Sequence, residues 1–219
     1  MNYGTIAGEL ARHAVAVTAE ALQRAEWRAR VRLDPELGAA RRASTESRGT
    51  AERYLRYLLG EAGVTDESVV AAIAVWHRGY NVPIGVWDTA DPSAAAALAL
   101  ARERGVRTAV ISNSNGSVRA SLDRLGLLPS LEFVLDSSEV GAEKPDPVIF
   151  RQALERAGLS PGEVVYVGDI YSIDVLGART AGMRAVLLDP GLCWGSRDCQ
   201  AAPDVLGAVR LILDGRVEK

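Results

Sequence analysis

Two aspartates five residues apart, Asp169 and Asp174, follow the apolar run Val164-Val165-Tyr166-Val167-Gly168. Such a run reads as a buried parallel strand. Its end delivers a carboxylate to the crevice where open α/β sheets build their sites. Two carboxylates meeting there repel one another unless a cation or a proton lies between them. Mg²⁺ is the expected cation, because it takes a few carboxylates together with waters and phosphate oxygens. A phosphate-handling enzyme is therefore the first reading, with Asp169 and Asp174 as metal ligands. In a plainer reading, Asp174 only supports the start of the following helix.

Two further segments carry polar groups suited to the same chemistry. Ser112-Asn113-Ser114-Asn115-Gly116 follows another apolar strand. Its hydroxyl, amide and backbone N–H groups could bind a phosphate, or simply make a turn and cap a helix. The second segment, Gly141-Ala142-Glu143-Lys144-Pro145-Asp146-Pro147, holds a lysine stiffened by prolines. There Lys144 could neutralise a phosphoryl group or a developing charge. The chain has 23 arginines and two lysines, and Lys219 is terminal. A lone internal lysine marks a place where a compact ammonium is wanted, or else follows from an arginine-rich composition.

The elements that must position these groups fall into two parts. Residues 1 to about 80 read as helical, with helices beginning at Thr18, spanning Thr50 to Leu59 and spanning Glu67 to Trp76. The nine arginines between Arg24 and Arg56 read as a solvated face rather than an anion-attracting one. Asn81-Val82-Pro83 and Asp91-Pro92 break the pattern. Strands at 108–111, 131–135, 164–167 and 184–188 then alternate with helices at 92–101, 116–125, 146–157, 173–181 and 203–213. That alternation predicts right-handed βαβ units and an α/β, Rossmann-like parallel sheet flanked by helices. The division expected is a helical subdomain at 1–80 and an α/β core at 81–219.

Bulk composition removes other classes. With 48% hydrophobic and 24% charged residues the chain is an ordinary globular one. A net charge of −3 gives no reason to expect nucleic acid or an anionic membrane as partner. No apolar run approaches the roughly 18 residues of a membrane span, and no signal-peptide pattern opens the chain. Cys193 and Cys199 read as free thiols, and a cytoplasmic location is the expectation.

In order and spacing, three segments resemble motifs of the haloacid dehalogenase (HAD) superfamily of hydrolases. Ile111-Ser112-Asn113 is similar to the strand end that binds phosphate. Lys144 within Glu143-Lys144-Pro145-Asp146 is similar to the lysine that balances charge on nucleophile and phosphate. Gly168-Asp169 through Asp174 is similar to the acids that hold Mg²⁺. The resemblance implies a Mg²⁺-dependent phosphatase of a small phosphorylated metabolite, with the helical part as an α-helical cap. Alternatives are a homologue that binds a phospho-ligand or partner without turnover, and a 2-haloacid dehalogenase, which needs no metal.

The same resemblance implies a first strand ending Asp-x-Asp, which supplies the nucleophile and the general acid. No two of the 13 aspartates are separated by a single residue. Phosphoryl transfer is therefore expected to be severely impaired in this chain, since the attacking atom must lie in line with phosphorus. In the family that strand lies between the ones expected here at 108–111 and 164–167. Without it, unpaired backbone groups cost on the order of 1–3 kcal/mol each if buried. The neighbours could close up, another segment or chain could supply the strand, giving a homodimer if the gap is filled in trans, or Met1 could be an internal start. The last is the expectation favoured.

Overall fold

Four helices come first in the computed structural model, which describes residues 1–39, 44–82 and 84–217. They are α1 (Tyr3–Arg12), α2 (Ala19–Ala39), α3 (Arg48–Glu61) and α4 (Glu67–Tyr80). Of the positions singled out above, Arg41, Arg42, Pro83 and Lys219 lie outside the described residues. Each helix starts on a side-chain cap. Asn2 Oδ1 accepts from the Thr5 N–H at 3.1 Å, Thr18 Oγ1 from Ala21 at 3.2 Å, Ser47 Oγ from Thr50 at 3.2 Å and Asp66 Oδ1 from Ser68 at 2.8 Å. These bonds satisfy donors that the first helical turn leaves unpaired. Helix α1 was not expected; Ile6 and Leu10, one turn apart, carry its buried face.

Helix α2 runs beyond Leu33 and through Pro35. A proline inside a helix removes one hydrogen bond and costs about 3 kcal/mol on its own. Tertiary contacts of the last turns offset that cost. Leu33 and Leu37 are buried against Ile173, and Asp34 Oδ1 accepts from the Ser172 N–H at 2.7 Å. The end of α2 is thus fastened to the segment that carries Asp169 and Asp174. The helices share an apolar core of Ile6, Leu22, Leu55, Leu58, Leu59, Ile73 and Val86.

Helix α5 (Ala94–Glu103) opens the alternating part. It continues as β1 (Val110–Ser112), α6 (Val118–Arg124), β2 (Val134–Asp136), α7 (Ser137–Val140), α8 (Pro147–Ala157), β3 (Val165–Gly168), α9 (Leu176–Thr180), β4 (Arg184–Leu188), β5 (Gln200–Ala202) and α10 (Val205–Leu213). Every strand pair is parallel. Both faces of β4 are covered: Ala185 and Leu187 pack with Ile149, Phe150 and Ala178, while Val186 packs with Ala202 and Ala208. This explains the near-continuous apolar character of that strand. The architecture is an α/β, Rossmann-like core with a helical cap.

Two expectations are corrected. Among the described residues the strands number five rather than four, because Gln200-Ala201-Ala202 is too short and too plain in pattern to be read as β5. They also do not make one sheet: β1 pairs with β2, and β3, β4 and β5 form a second group. Among the described residues no ladder joins β1 to β3. The neighbours have not closed up. What crosses the seam is a side chain, with the Tyr166 Oη 3.3 Å from the carbonyl oxygen of Ile111.

Candidate active site

The polar groups expected to converge do so at the carboxyl ends of the strands. Ser112 ends β1 in register with Asp136 at the end of β2, and Asp169 follows the last residue of β3. The Ser112–Gly116 turn is held from below by Asp136, which is 1% exposed. Asp136 Oδ2 accepts from the Gly116 N–H at 3.1 Å, and Ser137 Oγ accepts from the Ser114 N–H at 3.0 Å. Those two N–H groups, expected to face a phosphate, are therefore turned to the protein instead.

Asn113 is likewise a correction in part. Its side chain was expected to bind phosphate, but both ends of the amide clip the Lys144 backbone. Oδ1 accepts from the Lys144 N–H at 2.8 Å, and Nδ2 donates to the Lys144 carbonyl at 2.9 Å and to Thr45 Oγ1 at 2.8 Å. Asn113 thereby locks the turn after β1 to the lysine loop, whose Lys144–Pro145 peptide is cis. Asp146 caps α8 by accepting from the Val148 N–H at 2.8 Å. Lys144 is fixed from both sides in sequence.

The Lys144 ammonium donates to Asp174 Oδ1 at 2.7 Å and to Tyr166 Oη at 2.9 Å. Burial alone would lower its pKa. The Asp174 carboxylate and Tyr166 outweigh burial and raise it above the ordinary lysine value, so the group stays charged. Asp174 Oδ2 accepts from the backbone N–H groups of Asp169 and Ile170, each at 2.9 Å. Both carboxylate oxygens of Asp174 are thus occupied by donors. Asp174, expected to ligate a cation beside Asp169 or to orient its waters, here has Lys144 as its cation and holds the Asp169 backbone in place. A π-helical turn, Tyr171–Val175, presents Asp174 at this depth, where an ordinary helix from Ile173 was expected.

Asp169 faces a different cation. Arg30 Nη1 of α2 lies 2.5 Å from its Oδ2. The Arg30 Nε donates to Glu26, which is fully buried and also accepts from the hydroxyls of Tyr3 and Tyr54. Burial would push the Asp169 carboxyl up. The Arg30 guanidinium, the Lys144 ammonium and hydrogen-bond donors reverse that and hold it below the ordinary aspartate value. A lowered carboxylate pKa gives stability that is present above the unfolded value, about 3.9, and is lost as pH falls through the folded value. The difference in Tm between the wild type and Asp169→Asn should accordingly be full at neutral pH and shrink below about pH 4. Thermal unfolding across pH 3 to 7 reads this, and a difference that grows on acidification would sink it.

Four residues of this centre had no role assigned from sequence: Glu26, Arg30, Asp136 and Tyr166. Asp136 ends an apolar run, Phe133-Val134-Leu135, as Asp169 does, and that signal was legible. Glu26 and Arg30 stand four apart on a helix, a spacing that ordinarily marks a solvated pair. Only the packing of Tyr3 and Tyr54 over them shows otherwise.

Ser112, Lys144, Asp169 and Arg30 open on one cavity of about 550 Å³ between the helices and the strand ends. Its other wall is apolar, with Leu33, Leu37 and Leu58 from α2 and α3. Asp169 keeps 41% of its side-chain surface, exposed to this cavity. A hydroxyl, an ammonium and a guanidinium line one space, each cation paired with a carboxylate that an anion would have to compete with. As arranged, the residues do not fit a divalent cation. Among those described, no three Asp, Glu, His or Cys side chains gather to hold one, and the two aspartates are engaged by Lys144 and Arg30. No helix is long and apolar enough to cross a membrane among the described residues.

Comparison with known proteins shows the family. The phosphoserine phosphatase of Thermus thermophilus is 40% identical over 156 residues, covering 70% of this chain and 59% of that protein. Haloacid dehalogenase-like hydrolase domain-containing protein 3 of Mus musculus is 33% identical over 173 residues, covering 78% and 67%. The chain spans between about half and two thirds of the length of the first such relatives. The L-2-haloacid dehalogenase of Xanthobacter autotrophicus shares the fold, with TM-score 0.58 at 20% identity over 96% of this chain and 93% of that one. The sequence pattern of the haloacid dehalogenase-like hydrolases matches residues 3–182, and this chain belongs to that family.

Proposed function

We propose that this chain is a phosphatase-type hydrolase acting on a small phosphorylated metabolite. The observation that carries the reading is the clip through Asn113, which sets the Ser112 turn and the Lys144 ammonium side by side in one cavity with Asp169. Ser112 Oγ donates to a phosphoryl oxygen, and Lys144 offsets the charge of the phosphoryl group. Asn113 positions Lys144, and Asp174 positions both Lys144 and the Asp169 backbone. The similarity to a phosphoserine phosphatase supports the substrate class. Mg²⁺, implied by the family resemblance, would have Asp169 as its protein ligand only after Arg30 moved away.

The second reading is binding of a phosphorylated ligand without turnover. It is favoured by the lack of an Asp-x-Asp pair in the 219 residues, since the positioned groups bind an anion but none attacks phosphorus. Phosphate release from phosphoserine, with and without Mg²⁺, separates the two when paired with calorimetric binding of the same compound. Release supports the first reading, binding without release supports the second, and neither refutes both. Ser112→Ala should weaken binding by about tenfold, the value of one hydrogen bond to a charged group. Chloride release from 2-chloropropionate in the absence of metal would instead favour a dehalogenase.

A further inference from the structure

The two aspartates expected to share a metal ion each face a cation of the chain itself: Asp174 faces Lys144, and Asp169 faces Arg30. We propose that the Arg30 guanidinium is the resident cation of the Asp169 carboxylate, standing where a divalent metal ion would have to sit and fastening helix α2 to the end of β3. Arg30 comes from 139 positions earlier in the chain, and its side chain is 17% exposed. It is not a long surface side chain that happens to reach an acid. The fully buried Glu26 takes its Nε, and Tyr3 and Tyr54 hold Glu26 in turn, so the guanidinium is aimed before it meets Asp169. A planar fork can bind two carboxylates along two edges, which an ammonium cannot do.

The charges agree with this assignment. Arg30 and Lys144 face Glu26, Asp169 and Asp174, leaving this cluster one negative charge. A guanidinium does not lose its proton, so it yields the place only by moving, and Glu26 tethers it against moving. The helices and the strand layer, which already meet through Leu33, Leu37 and Ile173, are thereby also joined by a charge pair that lines the cavity. A metal ion and this closed arrangement exclude one another.

The proposal concerns metal binding and not turnover, so it stands or falls independently of the phosphatase reading. The test is titration of the full chain with Mn²⁺, followed by its paramagnetic resonance signal, together with Tm in Mg²⁺ and in EDTA. Wild type should show no saturable site below about 1 mM and the same Tm in both buffers. Arg30→Met frees the Asp169 and Glu26 carboxylates that Arg30 neutralises, for an ion whose remaining positions water fills; it should bind at least tenfold tighter and gain a Mg²⁺-dependent rise in Tm, and adding Asp169→Asn should abolish both. Arg30→Lys, which keeps a cation, should bind as weakly as wild type. Saturable micromolar binding by wild type that Asp169→Asn removes overturns the proposal whatever the variants do. A folded Arg30→Met, or Arg30→Gln if the methionine form does not fold, that binds no better than wild type overturns it as well.

Discussion

Replacing Lys144 by methionine should destabilise the protein by about 3–5 kcal/mol, the cost of stranding one partner of a buried ion pair. Methionine fills much the same volume as the lysine stem, so the loss reads the charge rather than a cavity. Asp174, 3% exposed at its side chain, would then keep the backbone donors of Asp169 and Ile170 but lose its cation. Lys144→Arg should not rescue. The ammonium sits between the Tyr166 hydroxyl and Asp174, a place for a point charge and not for a planar fork. Asp174→Asn alone should also be costly, since it leaves the ammonium buried without a counter-charge. The double variant Lys144→Met/Asp174→Asn should cost less than the two singles summed, by about 1–3 kcal/mol. The amide oxygen can still accept from the two backbone N–H groups, and no uncompensated charge remains. Urea unfolding of the four proteins gives the coupling, and strict additivity would show that the pair is not formed.

The core of the fold was legible because its signals are local. A run such as Val164 to Gly168 announces a buried strand by composition, and Gly126, Gly158 and Gly182 close their helices in the left-handed conformation that glycine adopts at least cost. Ser112 and Asp169 stand out for the same reason, as polar groups at the ends of apolar runs, and Lys144 as the lone internal lysine in a proline-stiffened loop. What local pattern cannot show is which donor each acceptor meets. Asp174 and Asp169 look equivalent in sequence, yet the first is almost fully buried by Lys144 and backbone amides while the second keeps much of its side chain exposed. Asn113 reads as a ligand-binding amide until the Lys144 loop, 31 residues on, is seen to occupy both of its ends. Arg30 was hidden among nine arginines of a helical region, because its burial depends on Tyr3, Tyr54 and Asp169, none of them near it in sequence. The split of the strands into two groups follows from pairing between short segments, and a three-residue strand carries too little pattern to specify its neighbour.

Gly168→Ala should be at least as damaging as loss of Lys144, at about 3–5 kcal/mol, although it adds a single methyl group. A Cβ at this position would lie 2.3 Å from the Asp174 Cγ and 2.4 Å from its Cβ, well inside van der Waals contact. An exposed flexible side chain would swing aside. Asp174 cannot, because Lys144 holds Oδ1 while the N–H groups of Asp169 and Ile170 hold Oδ2. Nor can the backbone of β3 back away freely, since Gly168 stands in register with Leu187 in β4, whose side chain is fully buried. The strain of overpacking is therefore joined to the disruption of the ion pair, and the variant should lose stability and, with it, the phosphate-ester binding proposed above. Gly162→Ala is the matched control. Its Cβ would meet nothing within 4 Å and its backbone is not left-handed, so its unfolding free energy should stay within about 0.5 kcal/mol of wild type. If Gly168→Ala proves as harmless as the control in urea unfolding, Asp174 is not seated against the end of β3, and the arrangement that aims Lys144 and fixes the Asp169 backbone fails with it.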